Sequence, residues 1–122
     1  MPDDRRNLGD LGERLAEQHL LAHGYTIRDR KSRTRYGEID LVAEKDGLIA
    51  FVEVRTRRGA RMGSAAESLS PAKQRRLVAL AEAYVQDRDD VPEAQRIDVI
   101  AVDLALDGRL LSLDHIEGAV WA

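Results

Sequence analysis

Gly37-Glu38-Ile39-Asp40-Leu41-Val42-Ala43-Glu44-Lys45-Asp46-Gly47-Leu48-Ile49-Ala50-Phe51-Val52-Glu53-Val54-Arg55 is the stretch on which the fold turns. Two apolar-rich runs flank Asp46-Gly47, and Asp-Gly in that setting is the strongest short-range signal for a β-hairpin. A two-residue type I′ loop sets Lys45 opposite Leu48. Counted back along this register, Asp40 stands opposite Glu53 and Glu38 opposite Arg55. A three-residue loop would move the register by one, set Glu53 opposite Ile39 and mix the apolar and polar faces. In the favoured register Ile39, Leu41 and Ala43 share a face with Ala50, Val52 and Val54, and that face is assigned to the core. Asp40 and Glu53 share the other. Like charges directly opposite, with Cβ atoms about 5 Å apart, are destabilising. A divalent cation between them reverses that sign, because Mg²⁺ is held by one or two carboxylates together with phosphate and water oxygens.

The flanking sequence places this hairpin in a mixed sheet. Leu8 to His23 has apolar residues at helical spacing (Leu8, Leu11, Leu15, Ala22) and a stop at Gly24. Gly9, Gly12 and Ala16 form a second, small-residue stripe along that helix. Glycine within a helix costs about 1 kcal/mol against alanine, so the stripe predicts close approach to another backbone. Tyr25 to Arg30 reads as a first strand, followed by a basic loop through Arg33 and Arg35. Arg57 to Leu69, with Arg57, Arg58 and Arg61, has loop chemistry. Ser70-Pro71 opens a second helix, with Ser as N-cap and Pro in the first turn, and Leu77, Leu80, Ala81, Tyr84 and Val85 give it an apolar stripe. Arg96 to Leu104 is a strand with Ile97, Val99 and Ala101 on one face and Asp98 with Ile100 and Val102 on the other; Asp98 is read as a structural residue or one that supports a site residue from behind. After a turn at Asp107-Gly108, Leu110 to Leu113 forms a short last strand. The order is α-β-β-β-α-β-β. The second helix can return the chain parallel to the hairpin.

The 122 residues, 43% of them hydrophobic, are read as a single domain over residues 1–122 with a substantial core. No apolar run approaches the length of a membrane span, the N-terminus lacks a signal-like apolar stretch, and cysteine is absent, so a cytoplasmic protein without disulfides or thiolate ligands is expected. The net charge of −3 conceals an asymmetry: Arg28 to Arg76 carries 13 Lys and Arg against 7 Asp and Glu, while the remainder carries 6 against 15. A basic centre in an acidic chain points to a local anionic partner. Lys73, Arg75 and Arg76 stand at a helix start, where the helix dipole disfavours cations but a phosphate would welcome them. His19 and His23, spaced i, i+4, could hold zinc together, but no third His or Cys lies near them in sequence. The aromatic content is 4%, which favours backbone and shape recognition over base stacking.

Taken in order, Gly12-Glu13, Gly37-Glu38-Ile39-Asp40-Leu41, Phe51-Val52-Glu53-Val54-Arg55, the helix start Ser70-Pro71-Ala72-Lys73-Gln74 and Arg96-Ile97-Asp98-Val99 resemble the YraN-like family of bacterial proteins. More broadly they resemble the PD-(D/E)XK nuclease superfamily, with a match that runs over nearly the whole chain. The resemblance implies a restriction-endonuclease-like α/β core, a mixed sheet with flanking helices, similar to Holliday-junction resolvases. It implies an Mg²⁺- or Mn²⁺-dependent endodeoxyribonuclease acting on DNA, branched or structured DNA included. Carried over, Asp40 and Glu53 are metal ligands, Val54 offers its carbonyl and Glu13 is the helix acid. Arg55 departs from the pattern, whose usual residue is Lys. An arginine stays protonated, so it can clamp a phosphate or stabilise charge but cannot act as a base, and Glu38 could tie it up. Lys73 could compensate. The residues assigned to nucleic-acid contact are Arg33, Arg35, Arg57, Arg58, Arg61, Lys73, Gln74 and Arg76. The alternatives are a nucleic-acid-binding module that kept the fold without the chemistry, and a protein-interaction domain with an acidic partner. A homodimer is compatible with each.

Overall fold

The computed structural model describes residues 4–59 and 69–120. Helix α1 (Asp4–Ala22) precedes strands β1 (Thr26–Thr34), β2 (Gly37–Lys45) and β3 (Leu48–Arg58). Helix α2 (Pro71–Gln86) then leads to β4 (Ala94–Leu104) and β5 (Leu110–Val120), so the order is α-β-β-β-α-β-β. The strands lie in numerical order in one five-stranded sheet. Neighbours are antiparallel except β3 and β4, which run parallel from Leu48↔Ala94 to Arg58↔Leu104. The helix between them is what allows a parallel return.

At the β2–β3 turn, Asp46 and Gly47 have φ of 50° and 75°, the two left-handed residues of a type I′ loop. Lys45 pairs with Leu48 and the ladder runs back to Leu41↔Val52, the register that Asp-Gly dictates. Ser70 caps α2 in an extended conformation, its Oγ accepting from the Lys73 N–H at 3.1 Å.

The sheet is covered on both sides, which corrects the assignment of the core to one face of the hairpin. Leu41, Ala43, Ala50, Val52, Ile100 and Val102 pack with Ala16 and Leu20 of α1. Val42, Ile49, Phe51, Ile97, Val99 and Ala101 pack with Leu77, Leu80, Ala81 and Tyr84 of α2. Burial on both faces is why Leu48 to Val52 is an unbroken apolar run rather than an alternation.

Several boundaries differ from the sequence reading: α1 begins at Asp4 rather than Leu8 and β4 at Ala94 rather than Arg96, and three larger differences lie in the other strands. The basic segment after Arg30 is strand, not loop, because ion pairs to α1 hold it: Arg30 Nε lies 2.5 Å from Glu17, and Lys31 Nζ 3.2 Å from Asp10 and 3.0 Å from Glu13. β3 continues through Arg57 and Arg58, paired with Asp103 and Leu104 of β4. β5 extends to Val120 rather than ending at Leu113, passing Gly118 at φ 61°. Within the small-residue stripe, Gly12 fulfils the expectation, since a Cβ there would lie 1.8 Å from Thr56 Oγ1 of β3. Gly9 does not, having nothing within 4 Å of that position.

Candidate metal and phosphate site

The β2–β3 ladder stops at Leu41↔Val52, and the next residues in that register are Asp40 and Glu53. Here β2 changes phase. Leu41 and Ala43 face α1, yet Ile39, which parity would put beside them, packs with Val42 on the α2 side. Asp40 sits at this change and turns into the gap between the strands. Its Oδ2 accepts the Val54 N–H at 2.8 Å, taking the place of a backbone rung. The N–H and C=O of an extended residue leave the strand by the same edge, so the Val54 carbonyl faces the same gap. Burial first, then repulsion from Glu53, pushes the Asp40 carboxyl up to about 7, with smaller pushes from Glu13 and Glu38 and an opposing pull from the Val54 N–H.

Two lysines flank this acid group from opposite layers. Lys73 Nζ, at the start of α2, lies 3.1 Å from Glu53 Oε1. Lys31 Nζ, on β1, lies 3.0 and 3.1 Å from the two carboxylate oxygens of Glu13 on α1. Lys31 has φ 49°, a left-handed conformation uncommon for a residue with a side chain. Among the described residues no three carboxylates or imidazoles are already arranged around a common ion position. Glu38 lies 3.9 Å from Arg33 and makes no pair with Arg55, contrary to the cross-strand expectation. Arg55 is half-buried and forms no ion pair with any described residue. Gln74 Nε2 donates to the Leu69 carbonyl at 3.1 Å, so its side chain ties down the approach to α2.

The basic residues divide into two sets. Arg57 belongs to β3, and its guanidinium donates to Asp103 at 2.9 and 3.2 Å, so it is a strand–strand tie rather than part of a free loop. Arg33 faces Glu38, and Arg35 lies with its Cζ 5.0 Å from the Tyr36 ring centroid. Arg61 lies outside the described residues. Arg58, at the end of β3, and Arg75 and Arg76, in the first turns of α2, are exposed and pair with no described acid.

Asp98 is fully buried and satisfied on every side. It accepts from Arg96 Nε at 2.7 Å and Nη2 at 2.9 Å and from the Gly118 N–H at 3.0 Å, and His115 Nε2 stands at 2.8 Å. Burial raises its pKa, but these partners outweigh it and hold the carboxyl below the ordinary aspartate range. This agrees with the structural reading of Asp98. Sequence reasoning missed Lys31 and His115. A charge-compensating lysine on an edge strand and a lone histidine in a polar strand leave no mark in periodicity or spacing.

No helix of the described residues is long and apolar enough to cross a membrane. The model of the uncharacterised protein family UPF0102 matches residues 12–102, which include Glu13, Asp40, Glu53, Lys73 and Asp98. A UPF0102 protein of Roseiflexus castenholzii is 46% identical over 121 residues, covering 98% of both chains. One from Chloroflexus aurantiacus is 47% identical over 121 residues, again 98% of each. One from Myxococcus xanthus is 44% identical over 118 residues, 97% of this chain and 92% of the relative. With its family pattern matched from the first helix through the fourth strand, and relatives of similar length aligned almost end to end, this chain belongs to the UPF0102 family.

Proposed function

We propose that this protein is an Mg²⁺- or Mn²⁺-dependent endonuclease acting on DNA, with branched or structured DNA as the favoured substrate. The observation that carries the reading is Asp40, ended in a gap in the sheet beside Glu53, with its carboxyl forced up by burial and by a second acid. An arrangement that is electrostatically costly by itself becomes favourable around a cation. Asp40, Glu53 and the Val54 carbonyl would hold the ion, and this all-oxygen donor set suits a hard divalent metal. Asp40 Oδ1 has no hydrogen-bond partner among the described residues, which leaves it available. When bound, the ion supplies charge neutralisation at the phosphodiester and acidification of the attacking water. Glu13 is the helix acid of the same reading, engaged by Lys31 in the free protein.

The chain's own residues then provide position and positive charge. Lys73, held against Glu53, brings from α2 the ammonium that the motif lacks on β3. Arg55 pairs with no acid among the described residues, and it could contact a phosphate oxygen and stabilise developing charge without serving as a base. Arg58, Arg75 and Arg76 are exposed and could grip the sugar–phosphate backbone, since such contacts position a duplex without reading sequence.

A second reading, a DNA-binding module without turnover, draws on the same geometry. Two of the three acids are already neutralised by lysines, and Arg55 cannot act as a base. Incubation with branched, nicked and linear DNA in Mn²⁺ separates the two. Under the nuclease reading the wild type cleaves, Asp40→Ala is inactive, Arg55→Lys keeps or raises the rate, and Arg55→Ala loses about 10²–10³ in rate. A wild type that binds these substrates and cleaves none of them establishes the binding module instead.

A further inference from the structure

The chain contains three histidines, and the fold brings all of them together although one lies about 90 residues from the other two. His19 and His23 occupy the last turn of α1 and the residue just beyond it, while His115 comes from β5. His19 Nε2 and His115 Nδ1 are 3.1 Å apart, and the rings of His19 and His23 have centroids 4.2 Å apart. None of the chemistry proposed for Asp40 and Glu53 uses them.

We propose that His19, His115 and His23 form a second metal site, for a borderline transition ion of the zinc class. The argument begins with the protons. His115 Nε2 stands 2.8 Å from the buried, ionised carboxylate of Asp98, which makes Nε2 the protonated nitrogen and leaves the lone pair on Nδ1. A carboxylate behind a histidine is the usual second partner of a metal-ligating imidazole, fixing its tautomer and raising its basicity. His23 Nδ1 donates to the His19 carbonyl at 2.8 Å, so its lone pair is on Nε2. His115 is therefore held in its ligand-ready tautomer by a group that is not itself a ligand, and His23 carries its lone pair on the outward nitrogen.

The distances agree. Tetrahedral zinc with Zn–N bonds of 2.0–2.1 Å separates neighbouring ligand nitrogens by about 3.3 Å. The 3.1 Å between His19 Nε2 and His115 Nδ1 is within a few tenths of this; an ion would replace the hydrogen bond once the rings turn their lone pairs toward it and the His19 proton passes from Nε2 to Nδ1. The third ligand is not yet in place. His23 is exposed at the end of the helix with its ring against His19, and to join the pair it would release the His19 carbonyl and turn Nε2 inward. Imidazole ligands select Zn²⁺, Ni²⁺, Co²⁺ or Cu²⁺ over Mg²⁺. The bound ion would clip the end of α1 to the edge strand β5 and leave a fourth position for water.

The test is titration of the full, tag-free chain with Zn²⁺ alone by calorimetry and with Co²⁺ alone by visible absorption. The expected result is saturable Zn²⁺ binding, tetrahedral Co²⁺ bands, and a rise in melting temperature with Zn²⁺, since an ion that binds only the native state stabilises it. His19→Ala should abolish all three, and His23→Ala should weaken binding about tenfold or more. The Asp40→Asn/Glu53→Gln double variant should bind Zn²⁺ as wild type does. His115→Ala leaves Asp98 short of a partner and could fail to fold, whereas His19→Ala and His23→Ala change only the end of α1. No Co²⁺ bands in the wild type would overturn the proposal. So would binding that survives His19→Ala, is indifferent to His23→Ala, or disappears with Asp40 and Glu53.

Discussion

With its carboxyl raised to about 7, Asp40 is close to half-protonated at neutral pH in the metal-free protein. The folded state therefore binds more protons than the unfolded chain between about pH 4 and pH 7. Stability contributed at this position is intact below that window, falls as pH rises through it, and is lost above it. Partial exposure and coupling to Glu53 reduce the effect to about 1–3 kcal/mol. Asp40→Asn keeps an oxygen to accept the Val54 N–H while removing the charge. It should raise stability by about that amount at pH 8 and by little at pH 4.5, measured by denaturant unfolding at both pH values. Equal changes at the two pH values would show that ionisation is not the source of strain. Mn²⁺ at pH 8 should stabilise the wild type and leave Asp40→Asn unmoved, the signature of a residue kept for function against stability.

Between elements, α1 approaches β3 closely at Gly12 and Thr56. Alanine is the better helix former by about 1 kcal/mol, so Gly9→Ala, which meets nothing within 4 Å, should stabilise by about that amount. Gly12→Ala should instead destabilise by about 1–3 kcal/mol through overpacking, with Thr56→Ala restoring part of the loss. Thermal unfolding of the three variants checks the contrast. The sequence revealed that α1 packs closely but not which glycine is responsible, because a stripe gives an angle on the helix and not a depth. The β2–β3 hairpin and the start of α2 were legible for a firmer reason: Asp46-Gly47 and Ser70-Pro71 each act locally, through φ and a cap. The outer strands were not. Arg30 to Thr34 is held as strand by Glu17, Asp10 and Glu13 of α1, and the later part of β5 by pairing to β4, neither of which is local. The candidate site divides along the same line. Asp40 and Glu53 followed from register and Lys73 from its place at the helix start, whereas the lysine that compensates Glu13, and the change of phase in β2, depend on packing between layers.

Across the whole molecule, the basic centre is less available than its count implies. Arg28, Arg30, Lys31, Arg33, Arg57 and Lys73 are engaged with acids and Arg35 lies over the Tyr36 ring, and this leaves Arg58, Arg75 and Arg76 as an exposed set with neither partner among the described residues. On the proposed function, replacing these three together by Ala should weaken DNA binding alike across sequences. It should also flatten the plot of log affinity against log salt by up to about 3, since each duplex phosphate contact contributes about 0.9 to the slope. Fluorescence anisotropy at several salt concentrations measures both. An unchanged slope would place the DNA elsewhere.

The strand order carries a consequence of another kind. Every strand neighbours its successor, and the β3–β4 junction alone must wait for α2 and the segment before it. A chain leaving the ribosome N-terminus first can thus complete α1 and a three-stranded meander, with Glu13, Asp40 and Glu53 all present, while the second half is still being made. Lys31 is already there to meet Glu13, but Lys73 has not been translated. For that interval Asp40 and Glu53 lack the ammonium that later pairs with Glu53, and on the proposed function the nascent protein would be in its most ion-hungry state before it is whole.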